Sequence, residues 1–212
     1  KLDEELANAY RIGDYNEGVR TFKQGLLKLG IATNWSNPNQ NFGPKTEDYV
    51  RDFQKYYGLR VTGVVDSKTR EKMELELNTP FQDGNRSETI REYKEMLMHL
   101  GFAPNWTNPN TRYGPTTADY VRDFQRYFGL YENGMIDSVT KEKLEYEYSR
   151  PIESGMRRPD IRILKEKLVL LGFADWPNPN NCLCSESTKV LEEFQSYYGL
   201  EESGWAGPET LA

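Results

Sequence analysis

Cysteine and histidine are nearly absent from this sequence. In 212 residues there are two cysteines, Cys182 and Cys184, and one histidine, His99. A zinc site needs more ligands than these, and His99 lies far from both cysteines in the chain. A bridge across so short a loop is expected to be strained. The favoured reading is two free thiols in a drifted loop, with a labile bridge or a metal shared with another chain as alternatives. There is no Ser-His-Asp arrangement, glycine-rich phosphate loop or metal-spaced Cys/His cluster. Carboxylates are plentiful, but none stands in an acid/base constellation, so no enzyme and no cofactor are expected.

Positive charge is also scarce where it would matter. Lysine and arginine number 27 against 33 acidic residues, a net charge of −6, and they form no dense patch. That argues against nucleic acid, whose binding rests on phosphate neutralisation, and against a polyanionic surface held by charge alone. No apolar run approaches transmembrane length, so no membrane insertion is expected. With 37% hydrophobic and 28% charged residues, the composition is that of a folded chain.

What the sequence does contain is repetition. The stretch FGPKTEDYVRDFQKYYGL ends at Leu59, returns as YGPTTADYVRDFQRYFGL ending at Leu130, and returns again, worn, as LCSESTKVLEEFQSYYGL ending at Leu200. Gly30, Gly101 and Gly172 recur every 71 residues. Such self-similarity marks a repeat architecture, in which neighbours bury surfaces that one unit cannot bury alone. A module of about 70 residues buries only ~60% of its unfolded surface.

Each copy reads as three helices. The first spans roughly 17–29, with Val19, Phe22, Leu26 and Leu29 on one face and Gly30 as its left-handed stop. Its counterparts present Ile90, Tyr93, Leu97, Leu100 and Ile161, Leu164, Leu168, Leu171. The second opens on Gly43-Pro44 or Gly114-Pro115, glycine at the cap and proline at the first helical position. Thr46, Val50, Phe53 and Tyr57 form its apolar stripe, while Lys45, Asp48, Asp52 and Lys55 face water. The third is capped by Asp66 or Asp137, with Met73 and Leu77, or Leu144 and Tyr148, facing inward. Pro80 and Pro151 stop it and open the next copy. The fold class is therefore all-α, a tandem array of three small three-helix modules. Residues 1–9 fit the end of a preceding repeat, with Leu2 and Leu6 aligned to Met73 and Leu77. The copies then span 10–79, 80–150 and 151–212, the last C-terminally truncated. The sequence is expected to be a piece of a longer array with short, semi-rigid linkers.

The frame Leu29-Gly30-Ile31, Phe42-Gly43-Pro44-Lys45-Thr46, Val50, Phe53-Gln54, Gly58-Leu59, Gly63 and Asp66…Thr69 resembles the peptidoglycan-binding domain of the three-helix type. The second copy matches with Leu100-Gly101-Phe102, Tyr113-Gly114-Pro115-Thr116-Thr117, Val121, Phe124-Gln125, Gly129-Leu130, Gly134 and Asp137…Thr140. The third keeps Leu171-Gly172-Phe173, Phe194-Gln195, Gly199-Leu200 and Gly204…Thr210. The long form looks like tandem repeats attached to bacterial cell-wall amidases and surface proteins. The resemblance implies non-catalytic repeats of an exported, wall-associated protein, anchoring an attached domain to murein by its glycan or stem peptide. The alternative is a structural spacer or surface-layer stalk, whose partners are further repeats of the same chain or other surface proteins. Two departures stand out: the longer Trp-x-Asn-Pro-Asn loop, and Cys184 and Ser187 in place of the helix-start glycine and threonine.

Candidate ligand residues come from those loops and from the second helix. Trp35, Asn37 and Asn39 recur as Trp106, Asn108 and Asn110, and as Trp176, Asn178 and Asn180. An indole face stacks on a sugar ring while amides bind hydroxyls. Equally, the tryptophan packs between modules and Asn-Pro-Asn makes a turn. Tyr49, Tyr56, Tyr120 and Tyr127 would line a shallow groove beside them, where the third copy has Val190. Gln54, Gln125 and Gln195 are expected to satisfy buried loop backbone. Arg20, Arg91 and Arg162, with Lys23, Lys94 and Lys165, reach either a wall-peptide carboxylate or, more simply, acidic side chains of the chain itself.

Overall fold

The computed structural model describes residues 8–211, and the readings of Leu2 and Leu6 lie outside them. The described residues are helical, with short connections. The first copy holds α1 (Glu17–Lys28), α2 (Pro44–Tyr56) and α3 (Ser67–Leu77). The second holds α4 (Glu88–His99), α5 (Pro115–Tyr127) and α6 (Ser138–Ser149), and the third α7 (Pro159–Leu170), α8 (Ser185–Tyr197) and the four-residue α9 (Pro208–Leu211). The chain forms two compact units. One joins the residues up to Arg86 with Arg112–Glu142; the other joins Ser87–Thr111 with Lys143 onward.

Local chemistry sets the helix ends where expected. Asn16 accepts the Val19 N–H at the start of α1, Ser87 does the same for Ile90 in α4, and Asp66 receives Thr69 N–H at 2.8 Å in α3. Pro44 and Pro115 occupy the first helical position after Gly43 and Gly114. In the first copy α1 packs on both α2 and α3. Its core holds Val19, Phe22, Leu26, Leu29, Phe42, Val50, Phe53 and Met73, all buried. The 3.6-residue period puts these apolar side chains on one stripe of each helix. In the third copy α7 packs on α8, with Ile161, Leu164, Leu168, Leu183 and Leu191 in the core.

Each copy is tied by short backbone bridges. Before the first helix, Tyr15 bridges Asn41, Arg86 bridges Arg112 and Arg157 bridges Cys182. Further upstream, Tyr10 bridges Val65 and Ile152 bridges Ala206, while Ile136 N–H donates to Phe81 C=O in the second copy. These bonds hold the linker against the turns that lead into the second and third helices.

The recurring glutamine fixes the last of those turns. Gln54 is fully buried; its Oε1 accepts from Thr62 N–H at 2.8 Å and Gly63 N–H at 2.9 Å, while its Nε2 donates to Val64 C=O and Thr69 Oγ1. Gln125 repeats this with Gly134, Met135 and Thr140, and Gln195 with Gly204, Trp205 and Thr210. One amide satisfies backbone groups that burial would otherwise leave unpaired. Gly63 turns with φ +76°, and a Cβ there would sit 2.6 Å from Glu47 Cγ, so the turn needs glycine on two counts.

Three expectations are corrected. Cys182 and Cys184 are joined by a disulfide, and neither is free. The Arg157–Cys182 bridge and the start of α8 bend the chain so that the two Cα atoms lie 5.5 Å apart, within bridging range. Tyr148 does not face inward: it is exposed, and its ring meets His99 at 5.6 Å. The buried residue one step earlier is Glu147, held by Lys143 at 2.6 Å and by the buried Arg158. Leu171 is not in the core; it is 55% exposed, whereas Leu29 is 0% and Leu100 is 2% exposed.

Candidate functional site

The tryptophan and asparagine candidates share one corner, built three times. It lies between the first helix and the long loop before the second. In the first copy, Lys23 on α1 is buried, and its Nζ donates to Asn39 Oδ1 at 2.9 Å and to Asn41 C=O at 3.2 Å. The same ammonium lies 4.7 Å from the centre of the Trp35 ring. In the second copy Lys94 donates to Asn110 Oδ1 and C=O and lies 4.7 Å from Trp106. In the third, Lys165 donates to Asn180 Oδ1 and Cys182 C=O and lies 4.7 Å from Trp176. Burial lowers the pKa of all three ammonium groups, opposed at Lys165 by the Glu186 carboxylate.

Lys23, Lys94 and Lys165 are thus held by the loop rather than free to reach a ligand carboxylate. Each pins the loop by two hydrogen bonds and a cation–π contact. The second asparagine of each Asn-Pro-Asn receives that ammonium. Asn39 and Asn180 also accept the N–H of the residue two further on, at 3.2 and 3.1 Å, an Asx turn. Asn37, Asn108 and Asn178 are exposed beside them, and Pro38 and Pro109 are buried.

Trp35, Trp106 and Trp176 are each half-buried. Trp35 meets the edge of Tyr49 at 4.9 Å, and Asn34 Nδ2 donates to the Tyr49 hydroxyl at 3.4 Å. In the third copy, where Val190 replaces the tyrosine, Trp176 Nε1 donates to Glu186 at 3.3 Å. Tyr120 is half-buried and Tyr127 is exposed, with its ring 5.0 Å from Phe128. Tyr56 does not join the Trp35 corner. Its ring packs on Tyr131 of the second copy at 4.7 Å, and burial raises its pKa well above the ordinary range. The recurring arginines take the simpler option: Arg20 pairs with Glu17, Arg91 with Glu88 and Arg162 with Glu166.

The lysine pin escaped the sequence reading. Its signal was there: a lysine three residues after the recurring first-helix arginine, at a near-constant distance from the tryptophan in all three copies. Spacing alone does not reveal that a long cationic side chain is buried. The corner can present an indole edge and an exposed carboxamide on a rigid base, which suits a sugar or amide ligand better than it suits bond-breaking chemistry. Among the described residues no helix is long and apolar enough to cross a membrane.

Comparison with known proteins agrees with this architecture. The family model for the peptidoglycan binding domain matches residues 15–73, 86–144 and 157–212. The chain is 33% identical over 91 residues to "Probable CtpA-like serine protease" of Staphylococcus saprophyticus, covering 43% of this chain and 17% of that protein. It is 35% identical over 57 residues to "Type VI secretion system spike protein VgrG3" of Vibrio cholerae, covering 27% of this chain and 6% of that protein. The chain therefore spans a small part of the curated relatives it matches. Among solved structures, an amidase/peptidase with a peptidoglycan-binding domain from Clostridium acetobutylicum aligns with a TM-score of 0.30 at 20% identity, over 50% of this chain and 48% of that one. With its three matched copies, this chain belongs to the peptidoglycan binding domain family.

Proposed function

We propose that the repeats hold an attached, exported domain at the bacterial cell wall by binding peptidoglycan, with no catalytic role of their own. The observation that carries this reading is the threefold Lys–Trp–Asn corner, with the same 4.7 Å ammonium-to-ring distance in each copy. A pinned indole beside an exposed asparagine is a preorganised platform, and preorganisation lowers the entropic cost of binding. Several weak platforms on one chain add avidity. Trp35, Asn37, Tyr49, Trp106, Asn108, Trp176 and Asn178 form the contact set. Asn39 and Asn110 act by holding the pin. In this reading the modules are 10–79, 80–150 and 151–212, and each family match lies inside one of them.

The test is a pull-down of the chain on purified, teichoic-acid-free peptidoglycan sacculi, beside Trp35→Ala and Trp106→Ala. Saturable binding that weakens in each variant, with helical content unchanged, supports the reading. Binding that survives both changes moves the site off the corners. No binding at tens of micromolar rejects the wall-anchoring function.

A second reading, a structural stalk, is favoured by one observation. The first two copies share a buried polar junction in which Glu76 Oε2 accepts from Ser138 N–H at 2.8 Å and Tyr57 donates to Asp137 at 3.0 Å. Such a junction suits repeats that bear load or stack on other repeats.

A further inference from the structure

The three corners are alike in tryptophan, asparagine and pinning lysine, and they differ in charge at one position. That position is the second residue of the second helix: Lys45 in the first copy, Thr116 in the second and Glu186 in the third. Both charged side chains are exposed, and both stand at the ring platform. Lys45 Nζ lies 5.9 Å from the centre of the Tyr49 ring, which itself packs edge-on against Trp35. Glu186 Oε1 accepts from Trp176 Nε1 at 3.3 Å, and its charge acts on the Lys165 ammonium that lies over the same indole.

Helix chemistry accounts for only one of these charges. The helix dipole favours an anion in the first turn and disfavours a cation, so Glu186 suits α8 while Lys45 works against α2. Lys45 makes no ion pair among the described residues that would offset this, and its ammonium is left to solvent or to a ligand. A second position changes in the same sense: Asn34 precedes Trp35, whereas the exposed Asp175 precedes Trp176. Asp48 and Lys189, one turn along the second helix, invert in the opposite sense. Neither makes a hydrogen bond, ion pair or cation–π contact at its corner among the described residues.

We infer that this position sets the charge of the group each corner accepts: the Trp35 corner takes a carboxylate beside Lys45, and the Trp176 corner takes a primary ammonium beside Glu186. The inference rests on the corners being the peptidoglycan site. A stem peptide offers both groups, carboxylates at its acidic residues and its end, and a free amine where its diamino acid is not cross-linked. A glycan strand offers an ammonium wherever a glucosamine lacks its acetyl group. Two corners of one chain then engage different groups of the same polymer. An exposed charge of this kind shifts affinity by up to about fivefold, and salt screens it.

Proton–nitrogen correlation NMR of the whole chain reads the two corners separately, through the indole N–H signals of Trp35 and Trp176, assigned from Trp→Phe variants. The probes are a disaccharide tetrapeptide with a free diamino-acid amine, the same muropeptide with that amine acetylated, the same with its carboxylates amidated, and chitosan and chitin oligomers of equal length. The Trp176 signal is expected to titrate with the free-amine muropeptide and to lose up to about fivefold in affinity on acetylation, while the Trp35 signal loses as much on amidation instead. Glu186→Gln keeps an acceptor for Trp176 Nε1 and removes the charge, so it abolishes the amine preference with helical content unchanged. Glu186→Lys and Lys45→Glu each reverse the preference of their own corner. Sensitivity of Trp176 to the muropeptide amine alone supports the inference and assigns the ammonium to the stem peptide; a stronger response to chitosan than to chitin supports it and assigns the ammonium to the glycan. Equal affinities for every charge form at both signals overturn the inference and leave peptidoglycan binding standing. So does a Trp176 signal that stays silent while Trp35 titrates. No movement of either signal with any probe rejects the corners as the binding site, and the inference with them.

Discussion

The Tyr57 hydroxyl donates to Asp137 Oδ2 at 3.0 Å, joining residues of two different repeats inside a buried site. The ring is wedged between Phe53 and Tyr56, each 4.9 Å away, and Lys72 lies 5.2 Å from its centre. The bond is therefore held by packing on every side. Asp137 also caps α6 and accepts from Asn133 Nδ2 at 3.0 Å. One carboxylate thus starts a helix, fixes a turn and joins two repeats.

Tyr57→Phe is expected to lower the thermal midpoint of the whole chain. It removes one charge-assisted hydrogen bond and leaves the ring in place, so the cost is about 1.5–3 kcal/mol. Differential scanning calorimetry measures this. A loss well below that range would mean that Asn133 alone satisfies the carboxylate.

Gln54→Ala is expected to cost more than Tyr57→Phe. The amide answers the N–H groups of Thr62 and Gly63 and the C=O of Val64. Each buried group left unpaired costs ~1–3 kcal/mol, so the variant should lose several kcal/mol in urea unfolding. Gln54→Glu should fail as well, because a carboxylate cannot donate to Val64 C=O.

Lys23→Met keeps the apolar stem and removes the pin. The expected result is a red-shifted, more mobile Trp35 and a loss of about 1 kcal/mol, the scale of a cation–π contact. If the corner binds ligand, the same variant weakens sacculus binding without removing any contact residue. Fluorescence anisotropy and the pull-down read the two effects separately.

Alkaline pH is expected to unfold the chain through its tyrosines. Burial, and then nearby carboxylates, raise the pKa of Tyr57, Tyr56 and Tyr93, and burial does the same for Tyr113. Above pH ~10 the unfolded chain loses these protons while the native chain keeps them, so stability falls as pH rises. The lowered lysines act the other way just below their ordinary value of about 10.4, where the unfolded chain binds the extra protons. Absorbance of tyrosinate against pH should show a late, cooperative step coincident with loss of helical circular dichroism. Tyr57→Phe should make that step shallower.

Reduction of the Cys182–Cys184 disulfide is expected to leave the fold intact. A loop of three residues removes little entropy from the unfolded chain, about 1.5 kcal/mol in the chain-entropy model. The flanking core residue Leu183 is fully buried and Ser187 Oγ donates to Cys184 C=O at 3.0 Å. Mass spectrometry with and without reductant counts the thiols, and circular dichroism follows α8.

Most of the fold is legible in the residues themselves. The stripe Thr46, Val50, Phe53 and Tyr57 is buried, Gly58 turns with φ +68° and Asp66 caps α3. These are local matters of period and cap, and they repeat three times. The buried glutamine was legible for the same reason, since a polar residue fixed beside a core phenylalanine needs backbone to satisfy. The candidate corner was half legible. Tryptophan and asparagine announce themselves, but Lys23 does not, because a lysine on an amphipathic helix is ordinarily solvated. Glu76 and Glu147 were missed likewise: both lie on the third helix, and their burial depends on partners far along the chain, Ser138 and Arg158.

The sequence by itself determined the threefold repeat, the helices, their ends and most of their core residues. These follow from side-chain periodicity and from glycine, proline and aspartate at fixed offsets, which act within a few residues of one another. The tertiary structure alone decided which polar side chains are buried, that Tyr57 meets Asp137, and that Leu29 and Leu100 are covered while Leu171 is open. Those outcomes depend on neighbours distant in the chain, and a residue's type and spacing carry no record of what packs against it.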